Sequence, residues 1–129
     1  MKPNYLNNFF CSLNNNLLIK KYTLIFPVFS KFFLELISFL EKEGCIKKKL
    51  IFTLKNKKMI SLVFEPSLEY SRIISPKLEF KKKELLSLEK RFLPSPYSGL
   101  LIISCAKGLV SQKKLKELNI GGILLGYII

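Results

Sequence analysis

The 129-residue sequence has no histidine, no tryptophan and no aspartate; all nine acids are Glu. Without His, the usual general base and the commonest metal ligand are both missing. Most catalytic and metal-centre classes therefore lose their chemistry at the outset. Cysteine is sparse: Cys11, Cys45 and Cys105 stand far apart, so no two form a C-x-x-C pair, and an odd count argues against a disulfide framework. A thiol nucleophile would have no imidazole to activate it. These features lead us to expect a reducing compartment, no metal, no cofactor, no catalytic residue and no small-molecule substrate. Long apolar runs are lacking as well. The window Tyr22–Leu40 is broken by Pro27, Lys31 and Glu35. Leu118–Ile129 is apolar but falls short of the roughly 20 residues a spanning helix needs. The opening M-K-P-N-Y-L-N-N-F-F has neither the charged n-region plus apolar run of a signal peptide nor the Arg-rich character of a transit peptide. The expectation is a soluble protein made where it works.

Arginine is almost absent in turn. Of 22 cations, 20 are Lys, with only Arg72 and Arg91 as Arg, and the net charge is +13. Arg is the bidentate reader of phosphates and bases, whereas Lys is a point charge on a flexible stem. A Lys-dominated surface suits diffuse neutralisation of a polyanion. Lys, Asn, Ile, Phe and Leu also have AT-rich codons, which points to an organelle-encoded gene, mitochondrial before plastid. At 49% hydrophobic residues the chain is globular in composition rather than a basic tail.

Periodicity predicts alternating short elements. Tyr5, Leu6, Phe9, Phe10 and Leu13 form an amphipathic helical stripe, which Asn14-Asn15-Asn16 is expected to break. Tyr22–Phe26 reads as a strand ended by Pro27. Ser30 is a candidate N-cap for a helix to about Glu43 that buries Phe32, Phe33, Leu36, Ile37, Phe39 and Leu40, with Gly44 as its C-terminal glycine. Ile46–Leu54 and Met59–Phe64 read as strands around Lys55-Asn56-Lys57. Glu65-Pro66-Ser67 is a linker candidate. It divides the chain into 1–66, with 11 cations and 4 acids, and 67–129, with 11 and 5. Tyr70–Phe80 looks extended, with Pro76 interrupting it. Lys81–Phe92 is helical, Pro94–Ser98 a loop and Gly99–Ser104 an apolar strand. Ser111 caps a basic helix to Leu118, and Gly121-Gly122 turns into a last strand, Ile123–Ile129.

The C-terminal third carries a specific pattern. Gly99–Ser104, Cys105-Ala106-Lys107-Gly108, a basic helix, Gly121-Gly122 and a closing strand resemble the C-terminal signature of the small ribosomal subunit protein eight family. That family has a strand, a Ser-Thr-Ser/Pro-Lys-Gly loop, a helix, Gly-Gly-Glu and a final strand. Asn4–Asn15 resembles its opening helix. Pro27, Ser30-Lys31 and then Leu40-Glu41-Lys42-Glu43-Gly44-Cys45-Ile46 resemble its P-x-S-K…L-x-x-E-G-[FY]-[IL] stretch. The likeness covers almost the whole chain in order. This sequence departs from the pattern at Cys105 for Thr, Ala106 for Ser or Pro, Ile123 for Glu, Asn4 for Asp and Asn14 for Arg.

The resemblance implies an α+β fold of two small domains. Residues 1–66 would pack helices on a short sheet, and residues 67–129 would form a mostly antiparallel sheet with short helices that binds rRNA. It implies a structural constituent of the small ribosomal subunit. Its partners would be the rRNA central domain, bound directly during assembly, and neighbouring ribosomal proteins.

The candidate rRNA-binding residues are Ser104, Cys105, Ala106, Lys107 and Gly108 in the loop, and Lys113, Lys114 and Lys116 on the basic helix. Gly121 and Gly122 follow, and Ser30 and Lys31 come from the P-x-S-K stretch. Small residues, a Lys and a Gly after a strand let backbone N–H groups approach a phosphate or base edge. The plainer readings are a strand-to-turn connection, a solvated charge run and a helix cap. Lys47–Lys49 and Lys81–Lys83 stay unassigned, and Tyr97 is a candidate stacking residue. The competing class is a basic amphipathic protein on an anionic membrane surface, which would explain the Lys and Phe content but not the ordered motifs.

Overall fold

The computed structural model describes residues 4–28, 30–93 and 99–129. The chain divides into two compact units, Met1–Glu69 and Tyr70–Ile129. Among the described residues, four α-helices and two antiparallel sheets make it α+β, as expected. The Pro94–Ser98 loop and Tyr97 lie outside the described residues.

In the first unit, α1 (Asn4–Leu18) and α2 (Lys31–Lys42) accompany a sheet of order β1-β3-β2, formed by Thr23–Pro27, Lys57–Phe64 and Ile46–Leu54. Pro27 closes β1 without cost to the ladder, because β1 is an edge strand and a missing N–H can face outward there. The helices bury Phe9, Leu13, Phe33, Leu36, Ile37 and Leu40. Phe9 is the hub: its ring lies 5.2 Å from Phe33, 5.4 Å from Phe26 and 6.4 Å from Phe64. The Phe9–Phe26 and Phe9–Phe33 pairs are edge-on, the arrangement the ring quadrupole favours by about 0.5–1.5 kcal/mol each beyond area burial. Phe9, Phe10, Phe26, Phe33, Phe39 and Phe64, part of the Phe content behind a membrane reading, are thus spent on a core. Among the described residues no helix is long and apolar enough to cross a membrane.

Helix ends follow local chemistry. The Ser30 side chain accepts the Phe33 N–H at 3.2 Å and starts α2. Its end is a Schellman turn, in which Gly44 takes φ +89° while the Cys45 N–H reaches the Leu40 carbonyl and the Gly44 N–H reaches Glu41. Strands β2 and β3 meet through Lys55 and Asn56, both at positive φ, the two-residue hairpin turn that matches strand twist.

One expectation fails here. Asn14–Asn16 does not break α1, which continues to Leu18. Leu17 extends the buried stripe by one more turn beyond Leu13, and the Asn16 amide is used outward, donating to the Thr23 carbonyl at 3.0 Å. Packing outweighs the weak helix preference of Asn.

In the second unit the sheet order is β4-β7-β5-β6, from Ser71–Phe80, Gly122–Ile128, Leu100–Cys105 and Gly108–Val110. The register of β4 shifts between Ile73 and Leu78, the stretch that contains Pro76. A short 3-10 helix (Lys82–Glu84), α3 (Leu85–Phe92) and α4 (Gln112–Leu118) complete it. Leu85, Leu88, Leu101, Ile103, Val110, Leu115 and Leu124 form a mostly aliphatic core that also buries Phe80. Strand β6 was not anticipated. It is three residues long, too short to show a period.

A hairpin end, a basic helix and a cavity

The expected loop is the tip of a hairpin. Cys105 pairs with Gly108, Ser104 with Leu109 and Ile103 with Val110, so Ala106 and Lys107 form a two-residue connection. Its left-handed step falls on Gly108 at φ +101°, which no β-branched residue adopts readily. A Cβ on Gly108 would meet nothing within 4 Å, so the constraint there is conformational and the space beside the backbone is open. Ala106, Lys107 and Gly108 are exposed, and Ser104 and Cys105 are half-buried. Ser104 lies opposite Ile123 on central strand β7, and Ile123 opposite Glu79 on β4. Directly opposed residues share a face, so Ser104, Ile123, Leu109 and Glu79 stand on one face of the sheet. Leu78, Leu124, Ile103 and Val110 alternate with them and point into the core.

The glycine pair has a packing reason of its own. A Cβ at Gly121 would sit 2.5 Å from the Phe80 carbonyl oxygen, and one at Gly122 would sit 2.9 Å from that of Ser104. Neither glycine caps α4. The left-handed cap is Asn119, φ 58° and ψ 43°. Close backbone approach within the sheet therefore accounts for both glycines, beside any role toward RNA.

Helix α4 starts at Ser111, whose hydroxyl accepts the Lys114 N–H at 3.3 Å. Buried Gln112 locks that turn onto β5, accepting from the Leu101 N–H at 2.9 Å and donating to the Gly99 carbonyl at 3.1 Å. All three lysines are exposed. At 100° per residue Lys114 and Lys116 flank Lys113 on either side of the solvent face, and they differ in their partners. Lys114 is loosely paired with Glu117 at 3.9 Å. Lys116 Nζ instead lies 2.7 Å from Glu89 Oε1, whose carboxylate is 4% exposed. A buried carboxylate without a partner is costly, and among the described residues both oxygens of Glu89 lack any other hydrogen-bond donor. Lys116 is therefore committed to Glu89, which the spacing of lysines along the sequence could not reveal.

Beside this pair is a cavity of about 280 Å³ between the 3-10 helix, α3 and α4. Lys82, Lys83 and Asn119 reach it, three residues the sequence reading left out. The run Lys81–Lys83 was the available signal, but a charge run by itself does not mark a cavity.

Ser30 and Lys31 lie in the first unit. The Ser30 hydroxyl is engaged, 2.7 Å from the Tyr5 hydroxyl as well as capping α2, and Lys31 is exposed. Of Lys47–Lys49, Lys47 sits at a bulge and lies 3.9 Å from Glu65, and Lys49 lies 3.2 Å from Glu41. Burial raises the Cys45 thiol to about 11, with neighbouring Glu43 adding to the effect, so Cys45 is an inert core thiol. Among the described residues no group of three His, Cys, Asp or Glu side chains could hold a metal ion.

Comparison with known proteins agrees with this architecture. A relative from Nanoarchaeum equitans, "Small ribosomal subunit protein uS8", is 33% identical over 106 residues, covering 82% of this chain and 81% of the relative. Proteins of the same name from Pyrobaculum arsenaticum and Methanocorpusculum labreanum match shorter stretches. The first is 42% identical over 55 residues, covering 43% of this chain and 42% of its own. The second is 38% identical over 56 residues, covering 43% of each. The family model described as Ribosomal protein S8 matches residues 4–129, and the chain belongs to that family.

Proposed function

We propose that this chain binds small-subunit rRNA directly, in the central domain, and supports assembly of that region through the hairpin end of its second unit. The chain is a structural constituent of the small ribosomal subunit, and its partners are rRNA and neighbouring ribosomal proteins. The family match over residues 4–129 carries this reading. The hairpin supports the placement of the site. Exposed Lys107 and the open backbone at Gly108 stand beyond Ser104, at the end of a rigid sheet. A-form RNA hides its major groove and is read at distorted or unpaired positions, where a narrow protruding turn fits. Cys105 in place of a hydroxyl residue leaves a weaker donor, so Ser104, Lys107 and backbone groups carry the contact. Lys113 and Lys114 add phosphate contacts from solvent-facing positions. Lys31 adds one from the first unit. No catalytic role is assigned, in keeping with a structural family.

The compartment follows the ribosome. Residue usage supports an organelle-encoded gene, mitochondrial before plastid, whereas the relatives described above are archaeal and lend that origin no support.

The test is a filter-binding series on a central-domain rRNA fragment. Log affinity falls linearly with log salt, by roughly 0.7–0.9 per neutralised phosphate, so about four to six contacts give a slope near −3 to −5. Binding without salt dependence, or tighter binding to anionic vesicles than to this fragment, contradicts the proposal.

A further inference from the structure

We propose that the cavity between the 3-10 helix, α3 and α4 holds one unstacked nucleotide of the bound rRNA; this rests on the rRNA-binding reading above. The cavity is two-natured. Its apolar part comes from Leu85, Leu86, Leu115 and Ile120, and its polar part from Lys82, Lys83, Lys116 and Asn119. Lys82 and Lys83 are exposed, and neither has an ion-pair partner among the described residues. Lys116 is held in place by buried Glu89 at 2.7 Å, so that pair is an ordered wall with little net charge. Free positive charge is thus concentrated on one side, at Lys82 and Lys83.

That combination selects the occupant. A free phosphate would leave the leucines uncovered, and an apolar segment would leave two lysines facing nothing. A nucleotide satisfies both, with its base on the aliphatic surface, its phosphate at Lys82 and Lys83, and the Asn119 carboxamide available to a base edge. At about 280 Å³ the cavity lies just below the range of drug-sized sites, about 300–1,000 Å³, and suits one base rather than several.

Position agrees with chemistry. A Cβ on Gly121 would lie 3.0 Å from Lys81 Cα and 3.3 Å from the Lys82 nitrogen, and one on the next residue, Gly122, would lie 3.6 Å from the Cys105 Cβ. The chain entering β7 therefore passes between the lysine run and the base of the hairpin. Cavity and hairpin tip share one end of the sheet, so an RNA engaged at Ser104–Gly108 has its neighbouring nucleotides within reach of Lys82 and Lys83. The Lys81–Lys83 run and the buried Glu89 thereby acquire a use.

The experiment is base-removal interference on a central-domain rRNA fragment, with the full chain. With the wild-type chain, loss of one unpaired base outside the hairpin contact weakens binding on the order of fivefold or more, the lower end for a stacked base. Leu86 is 57% exposed, so Leu86→Trp obstructs the cavity without disturbing the core. In Leu86→Trp that position loses its effect, while positions sensitive to Ser104→Ala keep theirs. In the Lys82→Ala, Lys83→Ala double variant the same position weakens, with melting temperature unchanged. Identical interference profiles for wild type and Leu86→Trp overturn the cavity assignment and leave the hairpin reading intact. An unchanged RNA profile with impaired incorporation of Leu86→Trp into reconstituted subunits also overturns it, since the occupant is then a protein. Failure of the wild-type chain to bind the fragment removes the rRNA reading and this inference together.

Discussion

Residues 1–69 hold 11 cations and 5 acids; residues 70–129 hold 11 and 4. Net charge does not separate the two units, but packing does. Nine of the eleven phenylalanines belong to the first, and four of them meet around Phe9 beneath a three-stranded sheet. The second is mostly aliphatic, with Phe80 as its buried aromatic ring, and relies on backbone closeness. A Cβ at Gly121 or Gly126 would lie 2.5 Å from a carbonyl oxygen of β4. Ion pairing does not separate them in number either: the first unit pairs Lys47 with Glu65 and Lys49 with Glu41, the second Lys114 with Glu117 and Lys116 with Glu89. The acids differ, since Glu89 is 4% exposed whereas Glu41 and Glu65 are only half-buried. In each unit most cations have no ion-pair partner among the described residues and stay available to a polyanion.

Substitutions can break that contrast, the most damaging being Phe9→Ala. It removes a fully buried ring that touches four others, and unfolding free energy from urea titration falls by about 3–5 kcal/mol. Lys116→Met follows at about 3 kcal/mol, because it strands the buried Glu89 carboxylate. Adding Glu89→Leu restores most of that loss, and Lys113→Ala costs under about 0.5 kcal/mol. Those three results together separate the structural lysine from the solvent-facing one. Gly126→Ala costs about 1–3 kcal/mol through overpacking against Arg72 O, with no counterpart in the first unit at Gly44, where a Cβ meets nothing and backbone conformation sets the cost.

Ser104→Ala leaves stability unchanged and weakens cognate rRNA binding by about 1–2 kcal/mol, with little effect on unrelated RNA. The contribution of Cys45 shows only as pH rises. Its folded-state value, about 11, is raised from 9.0, so the neutral thiol is favoured by folding. That stability is complete below pH 9 and is lost as pH rises toward 11, on the order of 1 kcal/mol by pH 10. The difference between wild type and Cys45→Val in urea titrations at pH 8 and pH 10 measures it.

Much of the architecture was legible because local signals and tertiary packing agree. Ser30 and Ser111 cap the helices they precede, Gly44 takes the left-handed position, and the apolar stripe of α2 is the buried one except for Phe32, which sits at its edge half-buried. Most of the failures share a cause. Asn14–Asn16 stays helical because Leu17 has a place in the core, and the cap of α4 is Asn119 because Gly121 and Gly122 are claimed by neighbouring strands. Lys116 was placed among phosphate contacts because its partner, Glu89, is 27 positions away in sequence. The cavity joins Lys82 and Lys83 to Asn119 across a similar separation. These misses depend on contacts between distant residues, which periodicity cannot report, whereas β6 is missed for its three-residue length. The Ser104–Gly108 motif is legible through its family resemblance, and the hairpin that carries it is not.

The central claim is that the hairpin end of the second unit meets rRNA. A density map of the intact small subunit that contains this chain tests it most directly. Ser104–Gly108 is expected in contact with an irregular, non-Watson–Crick stretch of the rRNA central domain, with Lys107 within reach of a phosphate. A map in which that turn faces solvent or a protein neighbour, and RNA lies elsewhere on the chain, contradicts it.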